Sequence, residues 1–592
     1  MIITVFTACG SGDEEKKDEI KGAEIKMFLT TLPESIDPST SYTTVDQVRV
    51  MGLLYEGLTT IESNGKLKNA LLGSYEYDFN QKTGNLELLI TLTNSRWSDG
   101  NLVTADDFRF AWKRVLLPEN DNANASLLYP VLNAKKVKEG LCSEDDFGVY
   151  SLKNNLIQIT FEKDYVNEDD YSKGEVKDKV EYFLRRLASP ALVPLREDVV
   201  DDITKDWCKP NGTTYVTNGP FKIKAWNSGE LIFERSVNYR CIGDSDSNPD
   251  DKLVKPYRLI TMIAEGTNAD AHVEKYNNKE SFYLNLNSAS PEVVESFGKK
   301  VETDDLISTS VVYLDHTHEL FQNPKVRLAL SLAIDREALA ESTNSDPATG
   351  FVPGGVEDTS RRSDFRKNGG ELISSKANIE EAKKLLKEAG IKPSSYVISI
   401  EYSNLRADDE EMAVACKEAW SALGFKIKFG AKKQMYIDAK EDGTYPLIMN
   451  NEAVNAASVI IINMQSMTSD AYSILTALST EYGGTVVDVT KKDVVYEPHT
   501  SGFQDAKYND LCDAFVNAKD EDERSEAMHA AEEYIAEQMP VIPLVFNKAY
   551  YVSQKLSNLE ADKFGRLDFA ELKQAGFKKY LKQNEEKAAE GK

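Results

Sequence analysis

Histidine, tryptophan and cysteine are scarce in this chain of 592 residues, which holds five, five and six of them respectively. The cysteines, Cys9, Cys142, Cys208, Cys241, Cys416 and Cys512, contain no C-x-x-C pair, which excludes a zinc ribbon or a thioredoxin-like centre. His316 and His318 share one face of an extended segment, but no acidic or cysteine partner at metal spacing accompanies them. A structural or surface role is therefore expected of them, with no metal site and no cofactor. No apolar run approaches the ~18 residues that cross a bilayer. Basic residues are the minority, 70 Lys+Arg against 97 Asp+Glu for a formal charge of -27, and no Lys/Arg-rich block supplies a face for nucleic acid. A G-x-S-x-G elbow, a P-loop and an H-E-x-x-H helix are all missing. With 97 acids, carboxylate pairs fall together by chance on solvated helix faces, so such pairs do not mark a glycosidase. No enzyme is expected.

What is present begins at the N-terminus. Val5-Phe6-Thr7-Ala8-Cys9 has the form of the end of a bacterial lipoprotein signal, with Cys9 as the lipidated residue, and only eight residues precede it, so the start is read as truncated. The following GSGDEEKKDEIKG is charged and aperiodic, as a flexible tether is. Five cysteines remain after Cys9, an odd number that leaves at least one thiol free. Cys208 and Cys241 flank a predicted strand pair, and both a bridge outside the cytoplasm and two buried thiols stay open.

Residues 96–116, RWSDGNLVTADDFRFAWKRVL, carry the densest set of local signals. Residues 86–92 alternate as a strand that continues to Trp97 and stops at the turn dipeptide Asp99-Gly100. Thr104 as N-cap with Asp107 three positions on is a capping box, and Val103 with Phe108 is the matching hydrophobic staple. Phe108, Ala111, Trp112, Val115 and Leu116 form one apolar stripe before Pro118 ends the helix. Upstream, residues 24–31 alternate as a strand, Ile36-Asp37-Pro38 turns the chain, and residues 44–54 form a helix closing on Glu56-Gly57-Leu58. Downstream, Asn218-Gly219-Pro220-Phe221, Trp226, a glycine turn and Arg235 before Asn238-Tyr239 describe a hairpin. Asn323-Pro324 then caps a helix with the stripe Val326, Ala329, Leu330, Ala333 and Ile334, its charges Arg327, Asp335 and Arg336 at the edges. Helices at 378–390 and 410–423, a strand at 425–429 and a helix from about 523 to 538 follow.

The wording of these segments, W-S-D-G with V-T-A-D-D-F, then N-G-P-F, then N-P-K-V-R-L-A-L-S-L-A-I-D-R, in order along about 24–577, resembles the family 5 extracellular solute-binding proteins, the oligopeptide receptors of ABC importers. The resemblance implies an α/β fold of the two-lobed periplasmic-binding-protein type (type II, with an extra subdomain) and a hinge between lobes. It implies lobe I at 24–56, an inserted subdomain at 57–190, lobe I again at 191–305, lobe III at 306–551, and lobe I with a tail at 552–592, behind a signal and tether at 1–23. Tyr42, Thr43 and Thr44, with Asn124, Ser126 and Tyr129, stand where such receptors touch ligand. Peptide receptors of this family carry G-W-x-x-D-Y-x-D-P after a lobe strand, here sought at 446–449, and its first aspartate pairs with the peptide α-amino group. This chain reads LIMNNEAVNAASVIIINMQSMTSDAYSIL over 447–475, with Met467 in the aspartate's place and Asp470 nearby. A buried ammonium without a carboxylate costs several kcal/mol. Asp470 or Glu452 then substitutes, the peptide lies differently, or the ligand is not a peptide; Asn450, Asn451, Glu452, Met467, Ser469, Asp470 and Tyr472 are the site candidates on this side. The implied protein is a monomeric extracytoplasmic receptor, lipid-anchored to the bacterial membrane through Cys9, that delivers oligopeptide to permease subunits and binds no nucleic acid. Its rivals are a same-fold receptor for a small non-peptide ligand, a surface hydrolase and a chaperone-like adhesin.

Overall fold

The computed structural model describes residues 22–29, 33–42, 44–120, 122–201, 203–227, 230–240, 253–262, 269–287, 289–358, 363–403, 408–432, 456–489, 494–497 and 502–582. A mixed sheet of eleven strands runs through the molecule. Its order is Lys426–Lys432, Val397–Ser403, Ala456–Gln465, Glu302–Leu314, Val541–Ser553, Tyr283–Asn285, Glu24–Phe28, Arg258–Met262, Leu231–Arg235 and Phe221–Trp226, with Asp346–Pro347 also paired to Val541–Ser553. A separate antiparallel sheet holds Leu72–Phe79, Leu86–Leu92, Leu156–Thr160 and Val149–Lys153.

Glu302–Leu314 and Val541–Ser553, 13 residues each, pair with each other in the middle of this sheet. At one end Tyr283–Asn285 pairs with Ser553, Val552 and Tyr551; at the other Ala456–Gln465 pairs with the stretch from Ser308 to Leu314. Between the two ends the register slips: Asp305 faces Lys548 and the next pair is Thr309 with Phe546, so Leu306, Ile307 and Ser308 oppose Asn547 alone. Such a bulge bends and twists a strand pair. Asn547 meets its polar needs, donating to Ser308 Oγ at 3.0 Å and Asn463 Oδ1 at 2.8 Å and accepting from Ser310 Oγ at 2.9 Å. The sheet is thus continuous across the lobes but kinked at a polar point.

The local signals of the sequence fall at the joints between elements. Asp107 Oδ2 accepts from Thr104 N at 2.7 Å and from Trp97 Nε1 at 3.0 Å, so the N-terminal turn of the helix Ala105–Leu116 also fixes the tryptophan. The strand ends at Leu92, not Trp97, because its partner begins at Leu156 opposite Thr91 and leaves no ladder beyond. At the other end of the same helix Arg114 pairs with Asp37 at 2.7 Å, tying it to the I-D-P turn. Glu56 and Asn218 exchange two hydrogen bonds, Glu56 N to Asn218 Oδ1 at 3.1 Å and Asn218 Nδ2 to Glu56 O at 2.8 Å. Beside them Gly219 lies so close to the helix Val45–Leu54 that a Cβ would fall 2.5 Å from the Leu54 carbonyl carbon. Any side chain there would push the hairpin off the helix, which is why N-G-P-F is written with glycine.

Asn323 caps the helix Pro324–Leu332 as expected, accepting from Lys325 N at 3.0 Å, and Val326, Ala329 and Leu330 are buried. Of its three charges only Asp335 is exposed as expected. Arg327 and Arg336 are buried, because carbonyls from distant chain ends replace water around each guanidinium. Arg327 donates to Gln538, Met539, Phe321 and Gln322 carbonyls, and Arg336 to those of Pro543, Ser331 and Ser374. Burial lowers both to about 10.

Candidate functional site

The helix Lys173–Arg186 starts from a capping box, Ser172 with Glu175. Its buried face carries Val176, Lys179, Val180, Phe183 and Arg186, so two cations sit on an otherwise apolar stripe. This helix meets the turn that follows the strand Ala456–Gln465. There Ser466 Oγ donates to Thr468 O at 2.8 Å and Met467 N donates to Ser473 Oγ at 2.8 Å, folding residues 466–473 into a compact knot that opens the short helix Tyr472–Thr476. Met467 is buried in that knot.

Across the seam Tyr182 donates to Asp470 Oδ2 at 2.7 Å, Arg185 donates to Ser469 Oγ at 3.2 Å and to Gly65 O at 3.0 Å, and Arg185 is ion-paired with Glu357. Glu357 N in turn donates to Ser469 O at 2.8 Å. Gly65, at φ +81, faces Glu357 so closely that a Cβ would overlap its carboxylate, so a side chain at 65 would break the pair. A second strip of the same seam joins the 3-10 helix Ala123–Leu128 to the short helices Tyr472–Thr476 and Thr480–Gly483. Tyr472 donates to Ser126 O at 3.0 Å, the Tyr129 and Tyr482 rings lie 6.1 Å apart, and Lys135 is ion-paired with Glu481.

The candidates from sequence divide accordingly. Ser126, Tyr129, Ser469, Asp470 and Tyr472 come together at the seam, buried or half-buried. Tyr42, Thr44 and Asn124 have other partners: Tyr42 donates to Pro190 O at 2.6 Å, Thr44 caps its helix by accepting from Gln47 N at 3.2 Å, and Asn124 Nδ2 donates to Ser39 O at 3.4 Å. Thr43, Asn450, Asn451, Glu452, Cys9, Cys241 and the strand sought at 446–449 lie outside the described residues. Cys142, Cys208, Cys416 and Cys512 are free thiols. Tyr182, Arg185, Arg186, Glu357 and Arg524 were not singled out by sequence, although arginine in register with Val176 and Phe183 on an apolar stripe was a usable sign.

The two histidines weighed as a metal pair have structural partners: His316 Nε2 lies 2.8 Å from Pro540 O, and His318 Nδ1 accepts from Leu320 N at 3.2 Å. Burial, above all, lowers His316 to about 4. Among the described residues no group of three or more His, Cys, Asp and Glu is placed to hold a metal, and no helix is long and apolar enough to cross a membrane.

Two lobes joined through a kinked shared sheet, with a polar seam between them, define a two-lobed binding protein. The profile of "Bacterial extracellular solute-binding proteins, family 5 Middle" matches residues 76–459, and the chain belongs to this family. It is 24% identical over 571 residues to the dipeptide-binding protein DppE of Bacillus subtilis (strain 168), covering 94% of each chain. To the oligopeptide-binding protein OppA of the same organism it is 23% identical over 554 residues, covering 91% of this chain and 90% of the relative. Among solved structures, Listeria monocytogenes OppA bound to peptide superposes with a TM-score of 0.72 at 17% identity, over 94% of this chain and 99% of that one.

Proposed function

We propose that this chain is the peptide-capturing receptor of an ABC importer, held outside the cytoplasm by a lipid on Cys9 and acting as a monomer without cofactor or covalent chemistry. Lobe I (24–56, 191–305 and 552–592) and the inserted subdomain (57–190) close against lobe III (306–551), turning on the bulge opposite Asn547. Extended ligand backbone pairs with strand and loop amides, and bridging waters let the pockets accept varied side chains. The closed form then docks on permease subunits. The observation that carries this reading is the seam itself, where Tyr472 meets Ser126, Tyr182 meets Asp470 and Arg185 meets Ser469 through hydrogen bonds that exchange with water at low net cost. The contacts suit a mouth that opens and shuts. Native mass spectrometry of freshly purified protein tests it: a distribution of short peptides is expected, and an empty protein or a cleaved guest contradicts it.

A second reading, a receptor of the same fold for a small non-peptide ligand, is favoured by Met467. Its side chain is buried where the family's peptide receptors carry the aspartate for the α-amino group, and its backbone amide is engaged by Ser473. A single small mass in the same experiment would select this reading over the first.

A further inference from the structure

Three cations are buried together where the inserted subdomain meets the far lobe: Lys179 and Arg186 on the helix Lys173–Arg186, and Arg524 on the helix Glu521–Gln538. Each is 1% exposed. Burying a charge is costly unless an opposite charge or hydrogen bonds replace its water. None of the three forms an ion pair within the described residues, and all three guanidinium nitrogens of Arg186, with Nη1 of Arg524, have no hydrogen-bond partner. Aromatic faces are what they have instead. The Arg186 guanidinium lies 4.0 Å from the Tyr472 ring and 4.7 Å from that of Tyr182, and Arg524 lies 3.6 Å from the Tyr182 ring. Lys179 Nζ is 4.6 Å from the ring of Tyr165 and 5.6 Å from that of Tyr171.

Nearby carboxylates are committed elsewhere or act at a distance: Asp470 accepts from Tyr182, Glu357 holds Arg185, and Glu523 reaches Lys179 only as a distant charge. Burial first, and then the charges of Arg524 and Arg186, pull Lys179 down to about 7. The seam therefore holds like charges together in a dry place, with Asp470, bound by Tyr182, and Glu523 as the negative groups around them.

We propose that Lys179, Arg186 and Arg524 form an oxyanion site at the lobe seam, which receives a carboxylate or phosphate group while the lobes are apart and is completed from both sides when they shut. An anion there relieves the repulsion between the lobes and gains charge-assisted hydrogen bonds from the Arg186 nitrogens and Arg524 Nη1, which now have none. The occupant is either an acidic group of the captured guest or a free small anion. The first of these rests on the capture reading given above.

The test uses the full chain, wild type and Arg186→Met, Arg524→Met and Lys179→Met, each checked for fold by circular dichroism. One arm compares thermal unfolding in sodium phosphate and in sodium chloride of equal ionic strength; the other titrates tri-glutamate and tri-glutamine. If a free anion fills the site, phosphate raises the wild-type Tm above the chloride value and each variant loses that increment. If the guest supplies the charge, tri-glutamate binds the wild type about tenfold more tightly than the variants while tri-glutamine binds all alike. No phosphate increment together with no charge preference, or effects equal in wild type and variants, overturns the site. Tri-glutamine binding that survives such a result leaves the receptor reading standing. A phosphate increment lost in the variants, with neither peptide bound, sinks peptide capture and keeps the site. Should Arg524→Met fail to fold, Lys179→Met reads the same loss from the opposite lobe.

Discussion

Arg327 and Arg336 are buried as deeply as Arg186 and Arg524, yet the two pairs are wired in opposite ways. The first pair is enclosed by carbonyls, several for each guanidinium. The second pair comes from two helices far apart in the chain and rests on tyrosine rings, with all three guanidinium nitrogens of Arg186 and Nη1 of Arg524 without a hydrogen bond. Equal burial therefore conceals two roles: a satisfied cation that nails helix, strand and loop together, and an unsatisfied one whose partner must come from outside the chain.

Mutation separates the two. Arg327→Met strands the carbonyls of Gln538, Met539, Phe321 and Gln322 in a dry site and should cost ~3–5 kcal/mol, read as a large fall in the midpoint of urea unfolding. A midpoint close to wild type would show that water replaces the guanidinium there. Next in size, Arg185→Met leaves Glu357 buried beside Gly65 without its cation and should weaken lobe closure by ~1–3 kcal/mol, seen as a rise in the radius of gyration of the ligand-free protein. An unchanged scattering curve would mean that the pair does not hold the seam.

Lys179 sharpens the contrast through pH. Its folded value, about 7, lies below the ordinary lysine value of 10.5, with Arg524, Arg186 and Glu523 the charges around it and Tyr165 and Tyr171 the rings. Between these values the unfolded chain binds the extra proton, so stability rises as pH climbs from about 7 towards 10.5, and the full penalty is present below 7. The difference between wild type and Lys179→Met should change by at most ~1.4 kcal/mol per pH unit in that window, measured by urea unfolding at several pH values. A flat difference would place the ammonium in contact with water. The smallest effect belongs to Arg186→Met. Replacing an unpartnered buried charge with an apolar chain of similar length should leave stability within ~1 kcal/mol of wild type or raise it. A loss as large as that of Arg327→Met would erase the distinction between the pairs.

Much of the fold was legible because its signals are local. The capping box at Thr104 and Asp107, the cap at Asn323, and the glycine of N-G-P-F each report a constraint met within a few residues or by one close approach. Periodicity failed where distant chain ends decide: Arg327 looked like an edge charge because the carbonyls of Gln538 and Met539 that accept from it lie more than two hundred positions away. The seam was half legible for the same reason. Residues 124–129 and 467–472 were singled out by resemblance to family loops, but Tyr182 and Asp470 are 288 positions apart, and nothing local in V-E-Y-F-L-R-R announces that pairing. The arginine on the apolar stripe was the one local trace of it.

The central claim is that two lobes hinged on a kinked sheet close over a guest and release it intact. Small-angle scattering of protein stripped of ligand under mild denaturation and refolded, recorded before and after adding the peptides that native mass spectrometry identifies, tests this directly. A smaller radius of gyration with peptide and its return when the peptide is dialysed away are predicted; one unvarying profile, or peptide recovered in pieces, would contradict the account.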